Sequence, residues 1–337
     1  MPRLPHALPR YLLLYVLALA IPAHACVSIP APPTLQLKAM YGDSRSSVFI
    51  AANEAANGET LSPIYSFFST TEKALDSGNA RPGNPDSDCA FQLFNAWAHA
   101  GALTFEPAAY EGTGKVKRGL LNPGFQMIGL KFRAAGYVLD DTALAWLRRM
   151  DEENVTFYTR GTNRANQRVW AATGAALNAL LQRDTAALAF QDQVWHEAIA
   201  AIGQNGFIPA ELTRGQQALV YHLYSLSATL VLEKAREVLG YPVTAADQAA
   251  LARLTSAIGK SLCDPSQIEQ LAQAKMVIPQ EQWAYPVPNA FLDSSTDAVD
   301  SAKANWSRCT PPPTNFDARD MGGDTRRSVQ VLKSLQR

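Results

Sequence analysis

Apolar residues return every three or four positions along most of this chain, the spacing that gathers them on one face of an α-helix. The pattern is clear in "DCAFQLFNAWAHAGAL", "VKRGLLNPGFQMIGLKFRAAG", "DTALAWLRRMDEEN" and "NQRVWAATGAALNALLQ". It continues in "DTAALAFQDQVWHEAIAAIG", "QALVYHLYSLSATLVLEKAREVLG" and "TAADQAALARLTSAIGKSL". The breaks are short and carry boundary chemistry. Asp184-Thr185 suits a helix start, Gly203 and Gly206 suit its end, and Gly240-Tyr241-Pro242 ends the next helix. Alternating strand patterns are scarce, with "GFIPAEL" as a candidate short extended piece.

Two stretches, "SATLVL" and "AATGAALNALL", are apolar on more than one face, as in helices sandwiched between neighbours. Successive antiparallel pairs of about 40 residues predict an all-α fold. The architecture expected is an α/α toroid, an incomplete α/α barrel in which inner and outer helices ring a central groove. No Pro- or Ser-rich linker divides the chain before "CTPPPTNFDARDMGGDTRRS", residues 309–328, which reads as a tail over the surface. The stretch "CVSIPAPPTLQLKAMYGDSRSS", residues 26–47, reads as extended. One domain over 26–337 with two irregular ends is the expectation.

The first 25 residues change the compartment. Arg3 and Arg10 precede the 11-residue apolar core "YLLLYVLALAI", and Ala23-His24-Ala25 fits small-residue cleavage. This is a cleaved secretory signal in pattern, with Cys26 as the first mature residue and a periplasmic or secreted destination. His24 and Ala25 make a poor lipobox, and no later run approaches a membrane span. Of 337 residues, removal of 25 leaves 312, carrying 28 basic and 30 acidic side chains. That balance argues against nucleic acid as a partner. It leaves room for an acidic polymer in a locally basic groove.

Cys26, Cys89, Cys263 and Cys309 could pair in any of three ways in an oxidising compartment. Cys263 with Cys309 is the first expectation, since each sits beside a Pro-containing turn. Neither the cysteines nor His99, His196 and His222 have zinc-site spacing, so neither a metal nor an organic cofactor is implied.

Three places carry candidate chemistry. In "RANQRVWAA", Asn166 and Trp170 are four apart and share a helix face, with Gln167 beside them. Helix capping and core packing are the plain alternatives. In "RGQQALVYHLYSLS", Arg214 and Tyr221 are seven apart and point alike if the helix starts early enough. His222 and Tyr224 follow, polar groups that an apolar helix would bury only against partners or a cavity. The third place is Lys38–Arg45, with Tyr41 and Asp43 inside it: a lid over a groove or a surface loop.

From Arg164 to Gly240 the chain resembles the alginate lyases of polysaccharide lyase family 5. Those enzymes carry an "NNHxYWAAW"-like helix start, then "GFLPNE", then an Arg-containing segment ending in "ALAYHxYAL". Here "ANQRVWAATG", "GFIPAEL" and "RGQQALVYHLYSL" stand in the same order. "FNAWAHAGAL" is similar to an upstream helix of the family. The resemblance implies an α/α toroid acting on polyuronates as a monomer. Asn166 would hold the substrate carboxylate, Arg214 would neutralise it, and Tyr221 would transfer the proton. The family's His falls on Gln167, which donates hydrogen bonds but takes no proton.

Those residues suit β-elimination. Donors aimed at the uronate carboxylate stabilise the enediolate-like anion formed when C5 loses its proton. In β-1,4-linked mannuronate or glucuronate the C5 hydrogen and O4 lie on one side, so a single Tyr221 can serve both. The expected function is therefore syn cleavage of polymannuronate, polyglucuronate or hyaluronan to 4,5-unsaturated ends, with polyguluronate a poor substrate. Trp170, His222, Lys38, Tyr41, Arg45 and Tyr224 are the expected substrate-binding residues, with Arg214 and His222 favouring a Tyr221 phenolate. The alternative is a non-catalytic relative that only grips an acidic polysaccharide. A toroidal glycoside hydrolase would need a carboxylate pair, for which Asp192, Glu197 and Glu211 form no recognisable motif.

Overall fold

The structure, a computed structural model, describes residues 26–43, 45, 47–104, 112–160, 165–279, 285–293, 300–310, 314 and 316–336. The signal sequence assigned to 1–25, and Arg164, lie outside them. Among the described residues, eight long helices build two layers. They are α1 (Ala51–Asp76), α2 (Pro85–His99), α3 (Thr113–Ala134), α4 (Asp141–Arg160), α5 (Ala165–Gln182), α6 (Thr185–Ala200), α8 (Ala218–Leu239) and α9 (Ala245–Cys263). A four-residue helix, α7 (Pro209–Leu212), lies between α6 and α8.

Each of α1/α2, α3/α4, α5/α6 and α8/α9 packs as a pair. The first members also pack in series, α1 on α3, α3 on α5 and α5 on α8, while α2, α4, α6 and α9 pack in series outside them. This is the α/α toroid. Composition explains which helices go inside. α8 is buried from Ala218 to Arg236 except at Tyr224. α5 buries Ala171, Ala172, Ala175, Ala176 and Ala179, small residues that let both neighbours close in. At Gly174 a Cβ would stand 2.3 Å from Asn122 Nδ2 of α3, so only glycine permits that approach.

A buried polar seam sets the register of α3, α4 and α5. Asn122 Nδ2 donates to Asp151 Oδ1 at 3.0 Å, and Asn178 Nδ2 donates to Asp151 Oδ2 at 3.4 Å. Gln126 donates to Asn122 Oδ1, and Gln182 donates to Asn178 Oδ1. Because unpaired polar groups are costly inside, the seam permits one alignment of the three helices.

Both ends are tied down. Disulfides join Cys26 to Cys89 and Cys263 to Cys309, so the second matches the expected pairing. Trp97 Nε1 donates to Ile29 O at 2.9 Å. Past α10 (Ser266–Ala272), α11 (Pro286–Leu292) packs on α8, and α12 (Asp300–Cys309) packs on α9. The expected surface tail instead enters the core. A two-residue hairpin, Asp317–Ala318 with Gly323–Asp324, leads to α13 (Thr325–Leu335), whose Val329, Val331 and Leu332 are buried. Lys131 Nζ holds that hairpin by donating to Asp76 Oδ1 at 2.7 Å and Gly322 O at 2.6 Å. The "GFIPAEL" piece is a turn followed by α7 rather than a strand.

Burial pushes the Asp151 carboxyl up to about 8. A carboxyl whose folded pKa exceeds its unfolded value stabilises the fold fully below the unfolded value, near 4, and loses that contribution as pH rises through 8. Glu72 and Glu233, each also raised to about 8 mainly by burial, act in the same direction. Each group contributes a slope of at most about 1.4 kcal/mol per pH unit. Thermal melts should therefore show Tm falling between pH 5 and 8, with a shallower fall in Asp151→Asn than in the parent. An equal slope would contradict the assignment.

Candidate active site

Residues 209–217 bring the start of α8 against the first turn of α5. Glu211, on α7, is fully buried at the junction. Its Oε1 accepts from Asn166 N at 3.0 Å and from Asn166 Nδ2 at 2.8 Å. The carboxylate thus satisfies an orphan amide at the positive end of α5. Its Oε2 lies 3.5 Å from Arg214 Nε. Burial raises the Glu211 carboxyl above its ordinary range, while Asn166 and Arg214 pull the other way.

Arg214 precedes a 3-10 turn at Gly215–Gln217, so it stands outside α8 rather than two turns along it. A positive φ of 56° at Gly215 makes that bend. The guanidinium still covers the Tyr221 ring, 4.8 Å from its centroid. Tyr221 is 8% exposed. Its ring centroid is 6.5 Å from Tyr41 and 6.3 Å from Tyr224, and the Tyr224 ring meets Trp170 edge-on at 6.4 Å.

Residues 41–43, 45 and 47–49 lie against this cluster. Tyr41 bridges Phe49, and Asp43 accepts backbone N–H bonds from Val48, Ser47 and Arg45. Arg214 Nη1 donates to Arg45 O at 3.0 Å, and Gln216 Nε2 donates to Ser47 O at 3.0 Å. The loop is pinned to the base that carries Arg214.

Beyond Tyr224 lie charged groups of α3 and the C-terminal hairpin. Lys117 Nζ lies 3.7 Å from Asp320 and 5.7 Å from the Tyr65 ring centroid, and Arg319 covers that ring at 4.1 Å. Burial opposes the Lys117 charge, but Asp320 and the nearby phenols hold its pKa above the ordinary value. The result is a tyrosine-rich cluster with cations at both ends. It suits a polymer with sugar faces and regularly spaced carboxylates.

A family model described as "Alginate lyase" matches residues 133–268, the span that contains Asn166, Gln167, Glu211, Arg214 and Tyr221. An "Alginate lyase" of Cobetia marina is 25% identical over 259 residues, covering 73% of this chain and 68% of that protein. A "Polysaccharide lyase" of Stenotrophomonas maltophilia is 25% identical over 272 residues, covering 74% and 77%. Over this span the chain is similar to the alginate lyases. It is a polysaccharide lyase by that relationship. Solved alginate lyases share the toroid: alginate lyase A1-III from Sphingomonas species A1 superposes with a TM-score of 0.64 at 15% identity, covering 88% of this chain and 85% of that one. A variant of alginate lyase A1-III complexed with tetrasaccharide gives 0.66 at 15% identity, covering 88% and 84%.

Against this alginate lyase frame, several expected roles change. His222 does not face the groove. Adjacent helix residues point about 100° apart, so with Tyr221 outward His222 turns inward. It is fully buried, with Nε2 accepting from Ile208 N at 2.9 Å and Nδ1 2.7 Å from Ala218 O. Burial lowers it to about 4, so it is neutral and gives Tyr221 no positive charge. Trp170 is 3% exposed and offers a sugar no open face. Arg45 reaches the cluster through its carbonyl, and Lys38 is exposed while its backbone pairs with Asn57.

Asn166 spends two donors on Glu211, leaving one amide hydrogen. Gln167 is partly buried, and its Oε1 has no hydrogen-bond partner. The proposed hydrolase acids do not pair either, since Asp192 is bound to Arg236 and Glu197 to Arg168. Two residues went unrecognised from sequence. Glu211 sits inside "GFIPAEL" with nothing local to mark it as a hub. Lys117, in "GKVKRG", reads as a solvated helix start.

Burial, then a hydrogen bond with Tyr41, raise the Tyr221 phenol well above its ordinary value, against the lowering influence of Arg214. The resting phenol is neutral, contrary to the phenolate expected from sequence. An ultraviolet difference titration should show no tyrosine titrating below pH 9 that is absent from Tyr221→Phe. A tyrosine near pH 7.5, lost in that variant, would contradict it.

Proposed function

We propose that this chain cleaves a β-1,4-linked polyuronate (polymannuronate, polyglucuronate or hyaluronan) by syn β-elimination through Tyr221. The observation that carries the proposal is the Arg214 guanidinium 4.8 Å over the Tyr221 ring, with Arg214 and Asn166 sharing the Glu211 carboxylate. Arg214 and the remaining Asn166 amide hydrogen would meet the uronate carboxylate. Gln167 would add amide donors without exchanging a proton.

The step balances on one side chain. Tyr221 phenolate takes the C5 proton, and the freed pair becomes the C4=C5 double bond as the C4–O4 bond breaks. The departing O4 then takes the proton back from Tyr221, regenerating phenolate. Only the phenolate begins the cycle, and it is the minor form of a phenol whose pKa is raised. The rate should therefore climb with pH. Developing charge on the enediolate is where Arg214 and the two amides act most strongly. The two disulfides and the signal-like residues 1–25 support an exported enzyme.

The neutral resting phenol and Gln167 together favour a second reading, a chain that binds the polymer without cutting it. Absorbance of the 4,5-unsaturated product separates the two. On polymannuronate, polyglucuronate or hyaluronan the parent should generate it, with kcat/KM rising from pH 6 to 9. Tyr221→Phe should lose about 10³-fold or more. A parent that binds these polymers and yields no product would establish the binding reading.

A further inference from the structure

We propose that Glu211 is the positioning residue of this site. Its buried carboxylate sets Asn166 and Arg214 in one arc around Tyr221, and through Arg214 it ties Arg45 to that arc. The role rests on the lyase reading and adds to it a group that never touches substrate.

The geometry separates the two oxygens. Oε1 takes the backbone N–H and the amide of Asn166 at 3.0 and 2.8 Å. Oε2 accepts no hydrogen bond and faces Arg214 Nε at 3.5 Å. One oxygen therefore orients the amide, and the other orients the guanidinium by charge. A buried carboxylate needs such donors to remain ionised, so the dependence runs both ways. From Arg214 the chain of contacts goes on to Tyr221 at 4.8 Å and to Arg45 O at 3.0 Å. A long, otherwise mobile side chain is thus held by the Glu211 charge at Nε and by the Nη1 bond to Arg45 O before a sugar arrives. That order lowers the entropy lost when substrate binds and keeps the guanidinium in register with the phenol.

A purely structural role, capping α5, is the competing account, and the amide isostere separates them. In Glu211→Gln the carbonyl oxygen still accepts both Asn166 bonds, so the cap survives. The NH2 that replaces Oε2 is neutral and releases Arg214. We expect kcat/KM on polymannuronate to fall about 10- to 100-fold, chiefly through KM, while Glu211→Asp recovers part of the loss.

The deciding readout is a double-mutant cycle with Arg214→Ala. If Glu211 works through Arg214, Glu211→Gln costs less than about 2-fold once Arg214 is gone. The same fold-loss in both backgrounds, or no loss in the parent, overturns the role and leaves the lyase reading intact. If the Glu211 variants fail to fold, a cycle between Asn166→Ala and Arg214→Ala, the two residues Glu211 joins, should be non-additive, and additivity overturns the proposal. A parent silent on every polyuronate overturns the lyase reading and this role with it.

Discussion

A carboxylate removed from water has to be met by donors, and in this protein that requirement organises the groove. Glu211 draws the first turn of α5 and the approach to α8 to a single point, 45 residues apart in sequence for Asn166. Without those donors the buried charge would be too costly to keep. With them, an amide and a guanidinium are held beside a phenol. The arrangement is a consequence of electrostatic necessity as much as of packing.

The toroid supplies the walls on which this can be built. Its inner helices are rich in small residues, so α3, α5 and α8 pack closely and the polar seam around Asp151 allows one alignment. Rigid helix starts then fix Asn166 and Tyr221, while turns carry the groups that must bend out of helical register. Gly215 lets Arg214 fold back over Tyr221. The C-terminal hairpin adds Arg319 and Asp320 to the far wall, which is why its anchor on Lys131 bears on the groove as well as on stability.

Much of this was legible in the chain, and the gaps have physical causes. Helices with unbroken periodicity, α2 to α6 and α8 to α9, stand out because burial on one face selects the pattern. α1 does not, since Gly58 and Pro63 stand inside it and its buried apolar positions begin only at Leu61. The last helix was hidden by the Pro- and Gly-rich stretch before it. Tyr221 and Tyr224 share a face at a spacing of three, as a sequence reader would expect. His222 looked equally placed, yet helix rotation sends it into the core against Ile208. The role of Glu211 in joining Asn166 to Arg214 was invisible because Asn166 is 45 residues away and no spacing rule links the two.

The central claim is that one tyrosine does the proton work from one side, because Gln167 stands where a second titratable group would be. The most direct measurement is the ratio of initial rates on polymannuronate and polyguluronate, taken from product absorbance under identical conditions. The account predicts a strong preference for polymannuronate, at least about tenfold, equivalent to about 1.4 kcal/mol between the two transition states. Comparable rates on the two polymers would contradict it, since guluronate sets the C5 proton and O4 on opposite faces and requires a second proton carrier.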